Sequence, residues 1–369
     1  MPEDRPDPLD QYARHLFGTL DGAVTAVMVH LGDRLGLYRA MAETSVEGPM
    51  TSVALAAATG LQERWLREWL HNQAAAGLIE WAANGSTDSS GGEWPRFWLS
   101  PAAVAFTANP AHPAFGMGHF HHLPRELALV NRLPEAFATG LGFDYDAGGA
   151  EGAEGMERAF EPWFGAFLVP SVLPLLDGVV EKLHTGALAA DVGCGAGSAV
   201  LLLARSFPAS TFIGYDISAH ALARARQRAA EEGAANVDFV DPRQEPLPAD
   251  GSLAFVSTFD CIHDMAHPED AAAAIRAALA PDGSWLLVDI KAGEGFVENV
   301  TRNPMASLMY GLSLLTCLPS ALSEPGGAGL GTLGLSESVA RRLTADAGFS
   351  RFRCLEVDHP VNAFYDVRR

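Results

Sequence analysis

The sequence predicts an α/β chain in which a parallel sheet wound with helices follows a mainly helical N-terminal domain. Two observations predict this arrangement. From residue 187 onward, short apolar runs alternate with helical patterns at a spacing typical of a parallel sheet. Before residue 110, two helical patterns precede two short strand patterns, which indicates a winged helix-turn-helix. At 369 residues, the chain is long enough for two domains.

The N-terminal elements follow from apolar spacing and from capping residues. Residues 9–42 repeat apolar side chains at helical intervals and are expected to form helix. Thr51 starts a short helix that Gly60 ends, and a second helix over Leu61–Ala76 stops before Gly77. The two predicted strands and the polar tip between them are Leu78–Trp81, Arg96–Leu99 and Asn84–Gly92.

The middle of the chain combines prolines with an acidic, glycine-rich stretch. Its prolines predict a loop-like segment over residues 110–150. Within it, Gly140–Gly155 is expected to pack loosely or to act as a flap. Met156–Leu183 follows as a long helical stretch, with kinks expected at Pro162, Pro170 and Pro174.

The C-terminal part continues the strand and helix alternation after the first apolar run. Further parallel strands are predicted at Thr211–Tyr215, Val237–Val240, Leu253–Thr258 and Ser284–Ile290. The helices between and after them are predicted at Ala199–Ser206, Ala219–Glu232, Pro268–Leu279 and Ser336–Ala347. Residues 303–319 indicate an inserted helix, and Ser323–Gly334 a glycine-rich loop. Arg351–Val357 and Asn362–Arg368 are expected to close the sheet as an antiparallel hairpin.

Composition restricts the classes of partner. The net charge of −20 disfavours nucleic acid and anionic membrane surfaces, since both are bound through lysine and arginine. The four cysteines are scattered without paired spacing, which favours a reducing compartment and no metal cluster. The acidic, proline-rich start of the chain does not resemble a signal peptide, and no apolar run approaches 18 residues. The cytoplasm is therefore the expected location.

A glycine-rich loop carries the most informative chemistry. The first predicted strand ends at Asp191, and Gly193, Gly195 and Gly197 follow at alternate positions. Glycines there allow a sharp turn and a close approach of a ligand to the backbone. Asp216 ends the next strand, 23 residues past Gly193, where a carboxylate would hold a ribose diol. A tight turn without a ligand is the alternative interpretation.

The pattern distinguishes between nucleotides. The dinucleotide fingerprint requires a third glycine at position 198, where this chain has Ser198. The sequence D-x-G-x-G-x-G instead resembles motif I of class I S-adenosylmethionine (SAM) methyltransferases. Leu35–Tyr38, the winged unit, Phe259–Asp264 and Ala278–Val288 resemble small-molecule O-methyltransferases with an N-terminal winged-helix dimerisation domain, particularly actinobacterial relatives with His-Asp-Met.

The resemblance implies a domain organisation. Residues 1–110 would form the winged-helix and dimerisation domain, 111–185 a helical linker and substrate lid, and 186–369 the SAM-binding methyltransferase domain. The expected assembly is a homodimer, since the apolar face of the helix over residues 9–42 needs a partner surface.

The resemblance also implies roles for individual residues. Asp191, Gly193, Gly195 and Gly197 would contact the methionine and ribose end of SAM, and Asp216 its ribose hydroxyls. The remaining cofactor contacts would come from Ile217 against the adenine, Asp241 on its amino group and Phe259 beside the cofactor. His263 matches the general base of the O-methyltransferases, although it could also be a structural histidine.

The sequence departs from the family at two points. Met265 stands where plant-type members have tryptophan, and the later acidic residue that orients the histidine has no clear counterpart. Asp289 and Glu294 are the approximate candidates.

Residues on the substrate side are predicted from composition. His119, Phe120 and His121 belong to a histidine-rich, aromatic cluster that suits a lid, with a surface loop or a metal site as alternatives. Asp264 either orients the substrate or caps the next helix. Met309 and Tyr310 on the inserted helix are candidates for the substrate wall, because methionine adapts to apolar ligands.

The favoured function is SAM-dependent methyl transfer to a small, apolar or aromatic metabolite, with O-methylation first. Two alternatives remain at this point: a winged-helix regulator that senses SAM or a metabolite, and a SAM-binding enzyme with other chemistry. The candidate recognition helix pairs Arg64 and Arg67 with Glu63 and Glu68, so it carries no net charge and disfavours DNA.

Overall fold

The computed structural model describes residues 7–44, 48–83 and 95–369. The chain divides into two compact units, Met1–Pro124 and Arg125–Arg369, called here the N-terminal and C-terminal units. This division differs from the three segments expected from the sequence, because it assigns residues 111–124 to the first unit and residues 125–185 to the second.

The N-terminal unit begins with two helices where one was expected. The expectation of a continuous helix over residues 9–42 is wrong, because the chain turns at Gly36, whose φ is +69°. A backbone in that region favours glycine and ends a helix. The elements of this unit are α1 (Pro8–Arg34), α2 (Leu37–Thr44), α3 (Ser52–Thr59), α4 (Glu63–Ala75), β1 (Glu80–Ala82), β2 (Arg96–Trp98), α5 (Pro101–Ala103) and α6 (Gly118–His121).

The winged helix-turn-helix forms as its capping residues predict. The Thr51 hydroxyl accepts a hydrogen bond from Ala54 N at 3.2 Å, and Gly60 ends α3 with φ +72°. Strands β1 and β2 pair antiparallel, and Met50 extends the pairing through a bridge to Phe97. The predicted wing tip, Asn84–Gly92, lies outside the described residues, as does the start of the chain before Asp7.

The C-terminal unit opens with helical segments where a loop was predicted. Residues 123–163 form α7 (Leu123–Ala128), α8 (Leu133–Thr139) and α9 (Gly149–Trp163), with short 3₁₀ turns between them. Pro124 and Pro134 lie in the first turns of helices, where proline needs no backbone donor, so the loop prediction is wrong for these residues. It holds for residues 110–117, which form neither helix nor strand. The expected loose flap is likewise helical from Gly149.

The long helix predicted over Met156–Leu183 is interrupted. After α9, a π-helical segment spans Phe164–Val172 and a 3₁₀ turn spans Leu173–Leu175. Helix α10 (Val179–Thr185) resumes after Gly178, whose φ is +75°.

A seven-stranded sheet organises the rest of this unit, in the order β5-β4-β3-β6-β7-β9-β8. The first five strands in that order are parallel, and β9 pairs antiparallel with both β7 and β8. The predicted closing hairpin is confirmed. The strands are β3 (Leu188–Val192), β4 (Thr211–Tyr215), β5 (Val237–Val240), β6 (Leu253–Phe259), β7 (Leu279–Ile290), β8 (Arg351–Cys354) and β9 (Asn362–Arg368).

Helices cover the sheet, and most were predicted from periodicity. The single helix expected over residues 303–319 is instead α15 and the start of α16, because Thr316 leaves the helical region and separates the two. The helices are α11 (Ser198–Ser206), α12 (Ala219–Glu232), α13 (Pro268–Ala278), α14 (Phe296–Arg302), α15 (Ala306–Leu315), α16 (Cys317–Ala321) and α17 (Glu337–Asp346).

Helix length and hydropathy limit which segments could cross a membrane. In the described parts of the chain, no single helix is both long and apolar enough to cross a membrane. Tyr145–Leu175 and Val179–Thr185 reach the required length and composition only as a pair, and they are bent by 109°.

Close packing in the N-terminal unit generates a stability prediction. A Cβ atom at Gly32 of α1 would lie 2.5 Å from a ring atom of Trp69 and 2.8 Å from one of Tyr38. We expect Gly32→Ala to destabilise this unit by about 1–3 kcal/mol through overpacking. Gly18→Ala on the same helix meets no atom within 4 Å and should be neutral or stabilising. Thermal unfolding of both variants tests this, and an unchanged melting temperature for Gly32→Ala would contradict it.

Candidate functional site

The strand order reverses at β3, which places a crevice at the carboxyl edge of the sheet. Strand β3 lies between β4 and β6, so the connections after these strands diverge to opposite sides. Ligands of open parallel sheets bind at this kind of position. The glycine loop, Asp216 and His263 follow the carboxyl ends of β3, β4 and β6, respectively.

The glycine loop adopts backbone conformations that favour glycine at each predicted position. Gly193, Gly195 and Gly197 have φ values of +74°, +54° and +82°. A Cβ atom at Gly193 would lie 2.6 Å from the side chain of Cys261. At Gly195, by contrast, a Cβ atom would meet no protein atom within 4 Å. The loop is therefore packed against the protein at Gly193 and open at Gly195, where a ligand could approach.

Asp216 is bonded to the glycine loop as well as to its own turn. Its Oδ2 accepts a hydrogen bond from Gly195 N at 2.7 Å, and its Oδ1 accepts one from Ser218 N at 2.8 Å. Burial raises the pKa of Asp216, and these backbone hydrogen bonds oppose that rise. Ile217, next in the chain, is 39% exposed, which leaves its side chain available to a ligand.

Asp191 is buried at the end of β3. Its carboxylate accepts a hydrogen bond from the Ser257 hydroxyl at 2.7 Å. The pKa of Asp191 is raised to about 7, mainly by burial. The Ser257 hydrogen bond opposes this rise, and the charge of Asp216 adds to it. Two carboxylates therefore share this edge of the sheet in a setting that disfavours their charged forms.

Arg228 braces the glycine loop from α12, a role that the sequence pattern did not reveal. Its guanidinium donates to Ala196 O at 3.2 Å and to the Ser198 hydroxyl at 3.0 Å. It also pairs with Glu161 of α9 at 2.7 Å. Because this arginine is buried, its hydrogen bonds and ion pairs fix the loop against two helices.

Asp241 follows β5 and is engaged by a neighbour. Arg243 donates to both of its carboxylate oxygens, at 3.0 and 2.9 Å, and these hydrogen bonds lower the pKa of Asp241. Arg243 also donates to Ile217 O at 2.7 Å. Asp241, which is expected to accept a hydrogen bond from the adenine amino group, is thus already bonded to the Arg243 guanidinium.

His263 lies in a short 3₁₀ turn after β6 and is 3% exposed. Its Nδ1 lies 2.6 Å from Asp289 Oδ1, and its Nε2 lies 3.3 Å from Cys317 Sγ. Burial would lower the pKa of His263, but the charge of Asp289 and the hydrogen bonds to Asp289 and Cys317 raise it well above its ordinary value.

Asp289 is therefore the acidic residue that orients the histidine. The alternative candidate, Glu294, instead accepts hydrogen bonds from the Ser336 hydroxyl and from Ser338 N. Glu294 lies in the connection after β7, whereas Asp289 lies within that strand and beside His263.

Asp264 is buried beside His263, and it does not cap the following helix. Helix α13 has His267 at its N-cap without a side-chain hydrogen bond, so the capping interpretation is wrong. The pKa of Asp264 is raised to about 7, mainly by burial. The charge of His263 opposes this rise, and that of Asp289 adds to it. Asp260, at the end of β6, has φ +49° and accepts a hydrogen bond from Asn362.

A strained backbone at Asp260 and the buried side chains of His263 and Asp264 thus lie together in the segment after β6. Burial and the charge of Asp289 raise the pKa of Asp260 to about 7. A non-glycine residue at positive φ costs free energy that the surrounding structure must supply, as is common at functional sites.

Aromatic and apolar side chains belong to the same unit. Phe259 packs edge-to-face against Phe164 of the π-helical segment, with ring centroids 4.7 Å apart. Met309 is buried, and Asn299 Nδ2 donates to the Tyr310 hydroxyl at 3.4 Å. Burial and the charges of Asp264 and Asp216 raise the pKa of Tyr145 well above its ordinary value, although the residue as a whole is 38% exposed.

The histidine-rich cluster belongs to the N-terminal unit. His119, Phe120 and His121 lie in α6, and the Phe120 ring packs against the core of that unit. The carbonyl of Phe120 lies 2.8 Å from His30 Nδ1 of α1. The lid assignment of these three residues stays a prediction.

Comparisons with known proteins agree with the fold and with the glycine loop. Residues 189–283 match the family model described as a methyltransferase domain, and residues 23–90 match the Rv2258c-like winged HTH domain. The chain therefore carries a methyltransferase domain over residues 189–283 and a winged-helix domain over residues 23–90. No curated protein matches the sequence.

Solved structures resemble the whole chain. Human N-acetylserotonin methyltransferase, solved in complex with SAM, is 17% identical, with a TM-score of 0.67 over 100% of this chain and 99% of that one. The mitomycin 7-O-methyltransferase MmcR is 21% identical, with a TM-score of 0.64 over 98% of each chain. A putative O-methyltransferase from Nostoc punctiforme is 16% identical, with a TM-score of 0.70 over 99% of this chain and 100% of that one. At these identities the likeness concerns the fold.

The C-terminal unit contains candidate-site residues that the sequence analysis did not identify. Cys317 was noted only as one of four scattered cysteines, and Tyr145 and Arg228 were not singled out. Cys317 is separated from His263 by 54 residues, so only the fold brings the two together. The spacing of residues around Arg228 predicts a helix, but it does not indicate that this arginine is buried.

The buried Asp191 carboxyl generates a pH prediction. Its pKa is about 7 in the folded chain, above the ordinary value of 3.8, so the folded state holds a proton that the unfolded state has lost. The contribution of this group to stability is therefore greatest below about pH 4 and declines as the pH rises to and beyond 7.

Asp191→Asn keeps an acceptor for Ser257 and removes the charge. We expect the ligand-free variant to melt above the wild type at about pH 8 and the difference to shrink toward about pH 5. Calorimetry across this range measures both. A variant that melts below the wild type, by more at high pH, would contradict this account.

Proposed function

We propose that this protein transfers the methyl group of SAM to a small apolar or aromatic molecule, with a hydroxyl oxygen as the favoured acceptor. The observation that carries the proposal is the open glycine loop bonded to Asp216 at the switch point of the sheet. The match of residues 189–283 to a methyltransferase domain supports it, as do structural neighbours named as methyltransferases of N-acetylserotonin and mitomycin.

The residues at the carboxyl edge of the sheet are suited to bind SAM. The backbone at Gly195 is open on the side where a Cβ atom would point, so a ligand can approach it closely. Asp191, Asp216 and Asp264 are buried carboxyls with raised pKa values, and a bound cation would favour their charged forms. SAM supplies a sulfonium, whose methyl group is already activated toward a nucleophile.

The chain's own contribution is then alignment and proton removal. Methyl transfer is an in-line displacement, so a fixed acceptor in a site that excludes water suffices for much of the rate. A hydroxyl acceptor must also lose its proton. The contact of Asp289 with Nδ1 of His263 supports a role for Nε2 as the proton acceptor. We propose that the His263–Asp289 pair removes that proton.

The residues predicted around SAM and the acceptor retain their proposed roles. Asp191, Gly193, Gly195, Gly197, Asp216, Ile217 and Phe259 are proposed cofactor contacts, and Met309 and Tyr310 are proposed acceptor contacts. Asp241 contacts the adenine in this proposal only if Arg243 releases one of its oxygens.

DNA binding by the winged helix is the disfavoured alternative. On α4, Arg64 is paired with Glu68 and Arg67 with Glu63, so both arginines already have carboxylate partners. Phosphate binding would have to break these pairs. The four cysteines are free thiols, which suits the reducing cytoplasm that we propose as the location.

The exposed face of α1 generates a prediction of assembly. Its apolar side chains are largely exposed, with Leu16 at 55% and Phe17 at 69%. An apolar stripe of this kind marks an interaction surface, and we propose that a second copy covers it. Light scattering should report a dimer for the wild type and a monomer for Phe17→Glu. His15→Glu, on the side of α1 away from Phe17, should stay dimeric, and a monomeric wild type would refute the proposal.

Asp216 tests cofactor binding. Asp216→Ala removes charge-assisted hydrogen bonds to the ribose, each worth roughly 1.5–3 kcal/mol, so we expect SAM affinity to fall at least tenfold. Isothermal titration calorimetry measures this. Asp238→Ala, on the neighbouring strand β5, is the matched control and should bind as the wild type does. Equal affinity of Asp216→Ala and wild type would exclude the assigned cofactor site.

His263 tests proton removal. His263→Ala should lower turnover at saturating acceptor by about 10²–10⁴-fold, the usual contribution of a general base, with SAM affinity little changed. The control is His267→Ala, since His267 is partly exposed and pairs with Glu269 and Glu324 at the surface. Unchanged turnover would remove His263 from the reaction, whereas a loss of SAM affinity would indicate a structural histidine.

A further inference from the structure

A hydrogen bond between two side chains crosses the carboxyl end of strand β7. Asp260 directly follows β6, and its backbone N donates to Val288 O of β7 at 3.0 Å. Its carboxylate accepts a hydrogen bond from Nδ2 of Asn362, the first residue of β9. Strand β7 lies between β6 and β9, so this contact passes over the end of β7. Asn362 pairs there with Ile290, the residue that follows Asp289.

We propose that Asp260 is a positioning residue for the base. Its hydrogen bond to Asn362 holds the turn that carries His263 against β7, and its negative charge adds to that of Asp289 in favouring the protonated imidazole. This inference rests on the proposed function, because it concerns how His263 takes the proton of the acceptor. It adds a second carboxylate to the His263–Asp289 pair.

The backbone of Asp260 shows that its side chain is held in a defined direction. The φ of +49° lies in the left-handed region, which residues other than glycine rarely adopt. Aspartate and asparagine tolerate this region better than most side chains, but it still costs free energy. The hydrogen bonds to Val288 and Asn362 are contacts that can supply that free energy. The direction of this side chain is therefore set just before the turn at Ile262–Asp264 begins.

The surroundings of Asp289 explain why a second carboxylate matters. Asp289 Oδ1 lies 2.6 Å from His263 Nδ1 and also accepts from Ile290 N at 2.8 Å. Asp289 Oδ2 is buried and has no hydrogen-bond partner in the ranges that the structure describes. Asp289 as a whole is 1% exposed, so water screens its charge little and a neighbouring charge acts strongly on it.

The pKa of Asp260 indicates that the three ionisable groups influence one another. Burial raises this pKa to about 7, and the charge of Asp289 adds to the rise. The hydrogen bond from Asn362 and the charge of His263 oppose it. Asp260 and the imidazole of His263 therefore favour each other's charged forms.

Proton removal from an acceptor leaves a positive charge on the imidazole, and nearby carboxylates stabilise that charge. The groups that face the ring are Asp289 from β7, Cys317 from α16, and Asp260 and Asp264 from the segment after β6. The pKa of His263 is raised well above its ordinary value, against the effect of burial. Asp260 is ionised above about pH 7, so its charge is present where His263 titrates.

Three substitutions separate the hydrogen bond from the charge. Asp260→Asn tolerates the same φ and keeps an oxygen acceptor for Asn362, so it removes the charge alone. Asp260→Gly also tolerates this φ and removes both the acceptor and the charge. Asn362→Ala removes the donor and keeps the charge. Since neither substitution at position 260 strains the backbone, both variants should fold, and thermal unfolding checks this.

The pKa of His263 is a readout that does not depend on methyl transfer. It is measured by NMR on the full-length protein labelled with ¹³C in the histidine rings, with His263→Gln to assign the signal. We expect Asp260→Asn and Asp260→Gly to lower this pKa by at least about half a unit, because a negative charge leaves a weakly screened site. Glu294→Gln is the control, since Ser336 and Ser338 bind that carboxylate, and it should leave the pKa unchanged.

Turnover at saturating SAM and acceptor is the second readout. Asp260→Asn should keep its activity to a lower pH than the wild type, because its imidazole loses the proton at a lower pH. Asp260→Gly and Asn362→Ala should lower turnover by about 10–100-fold with SAM affinity unchanged, since a small displacement of a reacting group has an effect of this size.

Two results would overturn the proposal. One is an unchanged pKa of His263 in Asp260→Asn, and the other is wild-type turnover in both Asp260→Gly and Asn362→Ala. Either result would leave SAM-dependent methyl transfer intact. A wild type that transfers no methyl group would instead reject the proposed function, while a lowered His263 pKa in Asp260→Asn would still support the action of Asp260 on the imidazole.

Discussion

Hydrogen bonds from the glycine loop to the end of β4 hold the loop in the shape on which the candidate site depends. Tyr215 O accepts from Gly193 N at 2.8 Å and from Cys194 N at 3.0 Å, while Asp216 accepts from Gly195 N. These bonds satisfy donors that a turn without helix or sheet pairing would leave open. They also explain why Asp216 is needed before any ligand arrives, since the same carboxylate that would hold a ribose already supports the loop.

The second constraint is the burial of carboxyl groups along the carboxyl edge of the sheet. Asp191, Asp260 and Asp264 each have a pKa near 7, with burial as the main cause. The folded chain thus keeps these groups near the point of ionisation, at a cost in stability that a cationic ligand would offset. The proposed function draws on this burial, because it places a sulfonium near Asp191 and Asp216.

The sequence predicts those parts of the fold that depend on neighbours in the chain. Strand β4 and helix α12 were predicted to the residue, because their periodicity and caps are local. The break at Gly36 and the helical residues between 123 and 155 were missed, because a single glycine or proline indicates either a turn or a helix end according to its surroundings.

The candidate site likewise has one part that could be predicted from the sequence and one part that could not. The glycine loop and Asp216 could be predicted, because three glycines and a spaced carboxylate form a pattern within 26 residues. The choice of Asp289 over Glu294 and the approach of Cys317 to His263 could not, since they depend on the register of β7 and on where α16 packs. The burial of ionisable groups, which sets the pKa values here, cannot be predicted from the spacing of residues in the sequence.

The central claim is that the buried carboxyls at this edge bind the positive charge of SAM. The most direct measurement compares the affinities of SAM and S-adenosylhomocysteine, which lacks the sulfonium charge, by calorimetry at about pH 5.5 and about pH 8. The account predicts that the affinity of SAM relative to S-adenosylhomocysteine increases several-fold at the higher pH, because Asp191 ionises with a pKa of about 7. The same relative affinity at both pH values, or no binding of either compound, would contradict it.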